Sequence, residues 1–200
     1  MGKSALILVD IQNDFCPGGA LAVTEGHAVV PHANALQLAH DLVVATQDWH
    51  PASHGSFASQ HDGRNPGEVV ELHGLTQVLW PDHCVQGSAG AEFHPELDVT
   101  RVARVFQKGT QHHVDSYSGF YDNGRRTDTG LATWLREQGV EAVTVVGLAT
   151  DYCVKWTALD AQSEGFATRV ITAACRGVEL TAGDVERALA ELRAAGVAVV

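Results

Sequence analysis

Apolar residues fall in short runs separated by segments of helical period, a pattern that predicts an α/β fold built on a parallel sheet. The runs ALILVD, LVVATQD, ARVFQK, AVTVVGL, TRVITAA and the terminal VAVV read as strands. Amphipathic stretches around Ala28 to Asp41, Gly130 to Gln138, Thr150 to Glu164 and Thr181 to Ala195 read as helices, with Gly139, Gly165 and Gly196 where helix ends are expected. With right-handed crossovers the expectation is a three-layer α/β/α architecture around a central, mostly parallel six-stranded sheet of order 3-2-1-4-5-6. The segment from His50 to about Val99 is dense in loop residues and reads as an elaborated loop region within a single domain spanning residues 1–200.

Open sheets of this kind bind ligands at the carboxyl ends of their strands. The first predicted strand ends on Asp10, the second on Asp48 followed by His50, the third on Lys108, and the fourth runs through Gly147 to Cys153. In the expected order the first and fourth strands are neighbours at the switch point, which brings Asp10 and Cys153 together. A lone cysteine is more often a small buried hydrophobe than a nucleophile. Cys153, however, follows a strand through the small-residue loop GLAT into a helix, where a helix N-terminus favours a thiolate. Asp10 taken alone reads as a loop cap, and beside a thiol as a general base whose pKa burial would raise. Lys108 taken alone is a surface lysine. Near Cys153 and Asp10 it would favour the thiolate and hold the carboxylate.

The segment TQDWHPASHGSFA places Asp48 and His50 one residue apart, and WPDHCVQG can carry His83 to the same place. His54 is a further candidate. Two imidazoles and a carboxylate suit zinc, with Fe(II) or Mn as alternatives, and leave positions open for a ligand.

Composition narrows the partners. The 200 residues are 45% hydrophobic, enough for a sizeable core. Thirteen basic against 24 acidic residues give a formal charge of -11, which opposes binding to nucleic acid or an anionic membrane and favours a small-molecule substrate. There is no secretory cleavage pattern and no bilayer-length apolar run. The four scattered cysteines, Cys16, Cys84, Cys153 and Cys175, read as free thiols, and together these features lead us to expect a cytoplasmic protein. The sequence leaves open whether the chain is a homo-oligomer.

Taken in order, LVDIQNDFCPGGALAV, TQDWHPASHGSFA, WPDHCVQGSAGAEFHPEL, FQKGT, YSGF and VVGLATDYCV resemble the nicotinamidase/pyrazinamidase family of isochorismatase-like cysteine hydrolases over nearly the whole chain. That resemblance implies a catalytic triad of Asp10, Lys108 and Cys153, metal ligands Asp48, His50 and His83, and His54 as a second-shell group or extra ligand. It implies a ring pocket lined by Phe15, Leu21, Trp80, Tyr117 and Tyr152, and an oxyanion site at the amides of Ala149 and Cys153 beyond a cis Leu148–Ala149 bond. The implied activity is hydrolysis of nicotinamide, and of pyrazinamide, through a cysteine thioester in NAD salvage, with one divalent metal ion as cofactor. Two features depart from some relatives: Tyr152 stands where they carry histidine, and the loop after Lys108 holds His112 and His113, read as exposed and without a role. Another small amidase of the superfamily, a vinyl ether hydrolase, or a metabolite-binding protein without chemistry are the rival readings. The paired metal and triad motifs disfavour all three.

Overall fold

The computed structural model describes residues 2–200. Its elements run β1 (Lys3–Val9), α1 (Val29–Gln37), β2 (Leu42–Asp48), β3 (Val69–Leu72), β4 (Leu75–Val78), β5 (Val102–Lys108), α2 (Leu131–Glu137), β6 (Val140–Leu148), α3 (Lys155–Ser163), β7 (Ala167–Arg176), α4 (Asp184–Ala194) and β8 (Ala198–Val199). The main sheet has the order β5-β2-β1-β6-β7-β8, and every pairing in it is parallel. Numbered along the chain, its six strands are in the expected order 3-2-1-4-5-6.

The apolar runs explain the arrangement. Ala5 to Val9 have no exposed surface, so β1 is covered on both faces, and a parallel strand can be apolar at consecutive positions only under such cover. Each large aliphatic side chain buried this way contributes roughly 1.5–3 kcal/mol. The edge is kept short: the predicted strand VAVV aligns Ala198 and Val199 with β7, and the Val200 amide and carbonyl add backbone hydrogen bonds to Val170 and Thr172.

The region from His50 to Val99 differs from expectation in one respect. It contains a two-stranded antiparallel hairpin, β3 with β4, closed by His73 and Gly74 at φ 48° and 84°. Two successive left-handed residues are what a tight hairpin turn of matching twist requires.

Two further details aim the strand ends at one point. Gly147 pairs with Val9 at φ 123°, and a Cβ there would lie 2.2 Å from the Val9 carbonyl oxygen, so only glycine lets β6 lie this close to β1. Immediately after β1, Asp10 takes a left-handed φ of 48°, uncommon for a residue with a side chain, and the chain turns out of the sheet. Among the described residues, no helix is long and apolar enough to cross a membrane.

Candidate active site and metal cluster

The register of the sheet builds the charged centre. Asp48 and Lys108 are direct partners across β2 and β5, so their side chains emerge side by side on one face. Lys108 Nζ lies 2.9 Å from Asp48 Oδ1 and 2.9 Å from Asp10 Oδ2. It donates to the Ser116 carbonyl at 2.9 Å and reaches Cys153 Sγ at 3.5 Å. Asp10 Oδ1 also accepts from Thr46 Oγ1 at 2.7 Å. The three residues expected to act together, Asp10, Lys108 and Cys153, therefore meet around one ammonium, and all are buried.

Burial and charge compete at each group. Burial would drive the Lys108 ammonium to lose its proton, yet Asp10 and Asp48 hold its pKa well above the usual lysine value. Burial raises the Asp10 pKa above the usual carboxylate value; Lys108 opposes this and Asp48 adds to it. Asp48 goes the other way: although burial pushes it up, His50 and Lys108 hold it well below the carboxylate range. For Cys153, burial and the two carboxylates outweigh Lys108 and raise the thiol well above 9.0. Lys108 favours the thiolate, as expected, but burial outweighs it, and Asp10 is a hydrogen-bond partner of the sulfur.

The backbone around Cys153 is also wider than the expected first turn of an α-helix. Thr150–Val154 form a π-type turn that leads into α3, with the Tyr152 and Val154 amides both donating to the Ala149 carbonyl, at 3.1 and 3.0 Å. The Leu148–Ala149 bond is cis, as the motif led us to expect.

A second cluster shares Asp48. His50 Nδ1 bonds the Gly109 carbonyl at 2.9 Å and His83 Nδ1 bonds the Pro81 carbonyl at 2.7 Å. With Nδ1 donating to a carbonyl, each ring turns its Nε2 toward Asp48. Both Nε2 atoms face Asp48 Oδ2, at 3.1 and 3.5 Å, and His50 Nε2 is buried without a hydrogen-bond partner. Two imidazole Nε2 atoms and a carboxylate oxygen thus converge in a buried space, the arrangement a divalent cation needs once the rings are neutral. Ligand-bearing atoms of Asp48, His50 and His83 all lie within 4.8 Å of one another. The residues fit a divalent metal, with backbone carbonyls fixing the imidazoles as outer-shell groups do. Local sequence sets this up: Gly109 is required because a Cβ there would lie 2.3 Å from the His50 ring, and the chains of His50 and His83 are joined where the His50 amide donates to the Cys84 carbonyl.

His54 stands apart from this triad. Its ring packs 4.3 Å from that of His50, but Nδ1 accepts from the Ser56 amide at 3.2 Å and Nε2 faces the Val114 carbonyl at 3.3 Å. It carries the opposite tautomer to His50 and His83. Burial and the His50 charge lower its pKa to about 4. His112 and His113 are exposed, and only the His112 carbonyl reaches inward, to the Gly55 amide.

The cleft beside Cys153 is narrow, about 30 Å³, and is lined by all five expected pocket residues, Phe15, Leu21, Trp80, Tyr117 and Tyr152. The Trp80 and Tyr152 rings meet edge to face at 4.9 Å, Tyr117 and Tyr152 at 5.3 Å, and Phe15 packs against His83 at 5.5 Å. Asp48, His83, Ala149 and Cys153 complete the wall from the polar side. An apolar cleft walled by aromatic rings, with a thiol, a carboxylate and an imidazole on its wall, suits a small aromatic ligand with a polar substituent.

Residues 4–200 match the family model described as "Isochorismatase domain". The chain belongs to the isochorismatase family. Within that family it is 54% identical to the nicotinamidase of Escherichia coli (strain K12), covering 98% of this chain and 93% of that protein. The solved Acinetobacter baumanii nicotinamidase/pyrazinamidase superposes with a TM-score of 0.96 at 47% identity, over 99% of this chain and 95% of that one. The pyrazinamidase of Pyrococcus horikoshii, solved in complex with zinc, superposes with a TM-score of 0.81 at 39% identity, over 99% and 98%.

Sequence reasoning missed two residues of this isochorismatase-family site. Gln12 is fully buried: its Nε2 donates to the Asp48 and Ala91 carbonyls, each at 2.8 Å, and its Oε1 accepts from the Asp48 amide at 2.8 Å. It pairs with Asp48 as a strand would, past the point where β1 has left the sheet. Asp115 lines the cleft, and no sequence signal separated it from the polar loop around it. A polar residue two positions beyond a strand-end carboxylate was the available signal for Gln12.

Proposed function

We propose that this site carries out the hydrolysis of nicotinamide to nicotinate and ammonia through a thioester on Cys153. Nicotinamide hydrolysis is the chain's activity; the assignment of residues to its steps is our reading. The single observation that carries it is the Lys108 ammonium in contact with Asp10, Asp48 and Cys153 at once, beside an aromatic cleft.

The pyridine ring lies in the slot walled by Phe15 and Trp80, with its carboxamide carbon toward Cys153. Asp10, whose raised pKa suits a group that must both take and return a proton near neutrality, accepts the thiol proton as sulfur attacks the carbonyl carbon. Burial raises the thiol pKa, which makes this proton acceptor necessary. The Ala149 and Cys153 amides receive the developing oxyanion. Asp10 returns the proton to the nitrogen leaving as ammonia, then draws one from the water that opens the thioester and passes it to the departing Cys153 sulfur. Lys108 remains charged throughout and holds both carboxylates in place.

Asp48, His50 and His83 would hold a divalent cation, which we take to be zinc, the metal in the Pyrococcus horikoshii pyrazinamidase structure, although the donor set also suits Fe(II) or Mn. When bound it supplies a Lewis-acidic anchor for the ring nitrogen. His54 supports His50 without ligating. Pyrazinamide, with the same ring shape and amide, is a second substrate on this reading. The activity belongs to cytoplasmic recycling of nicotinamide toward NAD.

The test is ammonia release from nicotinamide by purified, zinc-loaded protein, compared with Cys153→Ala. Release by the wild type and none by the variant is expected. Silence from the wild type sinks the proposal, and release by the variant removes Cys153 as nucleophile.

A further inference from the structure

Two carboxylates stand on the wall of the substrate cleft, and only one of them is paired with a lysine. Asp48 is paired with Lys108 and faces the metal cluster. Asp115 is 3% exposed, and its hydrogen-bond donors are neutral: the Ser116 amide to Oδ1 at 2.7 Å and Gln77 Nε2 to Oδ2 at 3.0 Å. Among the described residues no lysine or arginine comes within ion-pair distance of it. Its basic neighbours are imidazoles: His50 and His54 each offer a ring nitrogen within 4.8 Å of an Asp115 oxygen. A buried carboxylate with no fixed cation costs stability, so its presence on a ligand-binding wall calls for a functional reason.

The reaction supplies one. It starts from a neutral aromatic amide and ends with an aromatic carboxylate in the same cleft. A fixed negative charge on the wall leaves the amide's binding nearly unaffected and disfavours the acid. We propose that Asp115 is a specificity-determining residue that selects neutral amides over aromatic acids and hastens departure of the anionic product. This inference rests on the nicotinamide-hydrolase reading above. Its geometry has a second part: Gln77 Nε2, held by Asp115, also lies 3.1 Å from the Tyr117 hydroxyl, to which Trp80 Nε1 donates at 3.2 Å. Asp115 therefore steadies the aromatic wall as well, and a test must separate charge from support.

Binding of nicotinate and of nicotinamide is measured by calorimetry on zinc-loaded Cys153→Ala protein, which does not consume the amide. The readout is the ratio of the two affinities. Asp115→Asn is expected to shift that ratio toward nicotinate by about tenfold, the size of one charge-charge contact across a ring in a partly screened cleft. Gln77→Met breaks the same hydrogen bond but keeps the charge, and should weaken both ligands with the ratio unmoved. Asp115→Ser, too small to crowd Gln77, replaces the asparagine variant if that one misfolds and should shift the ratio the same way. An unchanged ratio in the Asp115 variants, or an equal shift in Gln77→Met, overturns the inference. So does loss of the bound zinc from Asp115→Asn, which would make Asp115 a ligand with His50 and His54. Ammonia release by the wild type is checked alongside: its absence defeats the underlying reading, whereas an active wild type with an unmoved ratio defeats this inference alone.

Discussion

Replacing Gln12 by leucine removes the group that holds Asp48 in place. The side chain makes three buried hydrogen bonds, one with each backbone group of Asp48 and one with the Ala91 carbonyl. Leucine fills much of the volume and makes none of them. The Ala91 carbonyl keeps a partner, because Gln47 Nε2 also donates to it at 3.0 Å. The Asp48 amide and carbonyl lose theirs. At roughly 1–3 kcal/mol for each buried group left unsatisfied, the loss is about 2–6 kcal/mol, a large share of a typical 5–15 kcal/mol total. A backbone free to shift at Asp48 also moves both of its carboxylate oxygens, one from Lys108 and the other from the metal cluster. Urea unfolding should therefore show a lower midpoint with an unchanged slope, and zinc titration of the folded variant should show weaker binding. Gln12→Glu keeps the acceptor for the Asp48 amide while setting an anion against two carbonyls, and should be at least as damaging. A Gln12→Leu protein within 1 kcal/mol of wild type, with unchanged zinc affinity, would refute the argument that this side chain substitutes for a missing strand.

Further outcomes follow from the charged centre. Asp10→Asn should lower kcat by about 100-fold to 10,000-fold while the protein stays folded, because the proton acceptor is lost but the shape is kept. Since Asp10 must be ionised to act and its pKa lies above the usual value, the acid limb of kcat/KM should fall at a higher pH than an ordinary aspartate would give. A limb in the ordinary aspartate range would count against Asp10 as the base. Alkylation of Cys153 by iodoacetamide in substrate-free, metal-free protein should keep accelerating beyond pH 9, since its thiol is held above that value; a plateau near neutrality would mean a resting thiolate. His83→Ala should lose zinc with little loss of fold, because the His83 side chain makes a single backbone hydrogen bond; zinc retained at wild-type affinity would exclude it as a ligand.

Much of the framework was legible in the sequence, because apolar runs and strand-end residues are direct consequences of a doubly covered parallel sheet. Taking the common strand order for such a sheet brought Asp10 and Cys153 together at the switch point, and the family resemblance added Lys108 to them. The hairpin of β3 and β4 was hidden because its turn is His73–Gly74, where histidine is an unusual occupant of a left-handed position, and because Val69 and Val70 are too exposed to signal a buried strand. The protonation of Cys153 was also out of reach: the sign of a pKa shift depends on summing burial, two carboxylates and one ammonium at real distances. Gln12 and Asp115 were missed for a related reason. Their chemistry consists of what they touch, and neither type nor spacing distinguishes a buried amide or carboxylate from a solvated one.

The central claim is that Cys153 becomes acylated during turnover of nicotinamide. Acid quenching of the zinc-loaded wild type during steady-state hydrolysis, followed by mass analysis of the peptide containing Cys153, tests it directly. The account predicts a fraction of that peptide carrying one nicotinoyl group as a thioester, discharged by hydroxylamine and absent from Cys153→Ala. Sustained ammonia release by the Cys153→Ala variant, or a nicotinoyl group found on another residue, would contradict it.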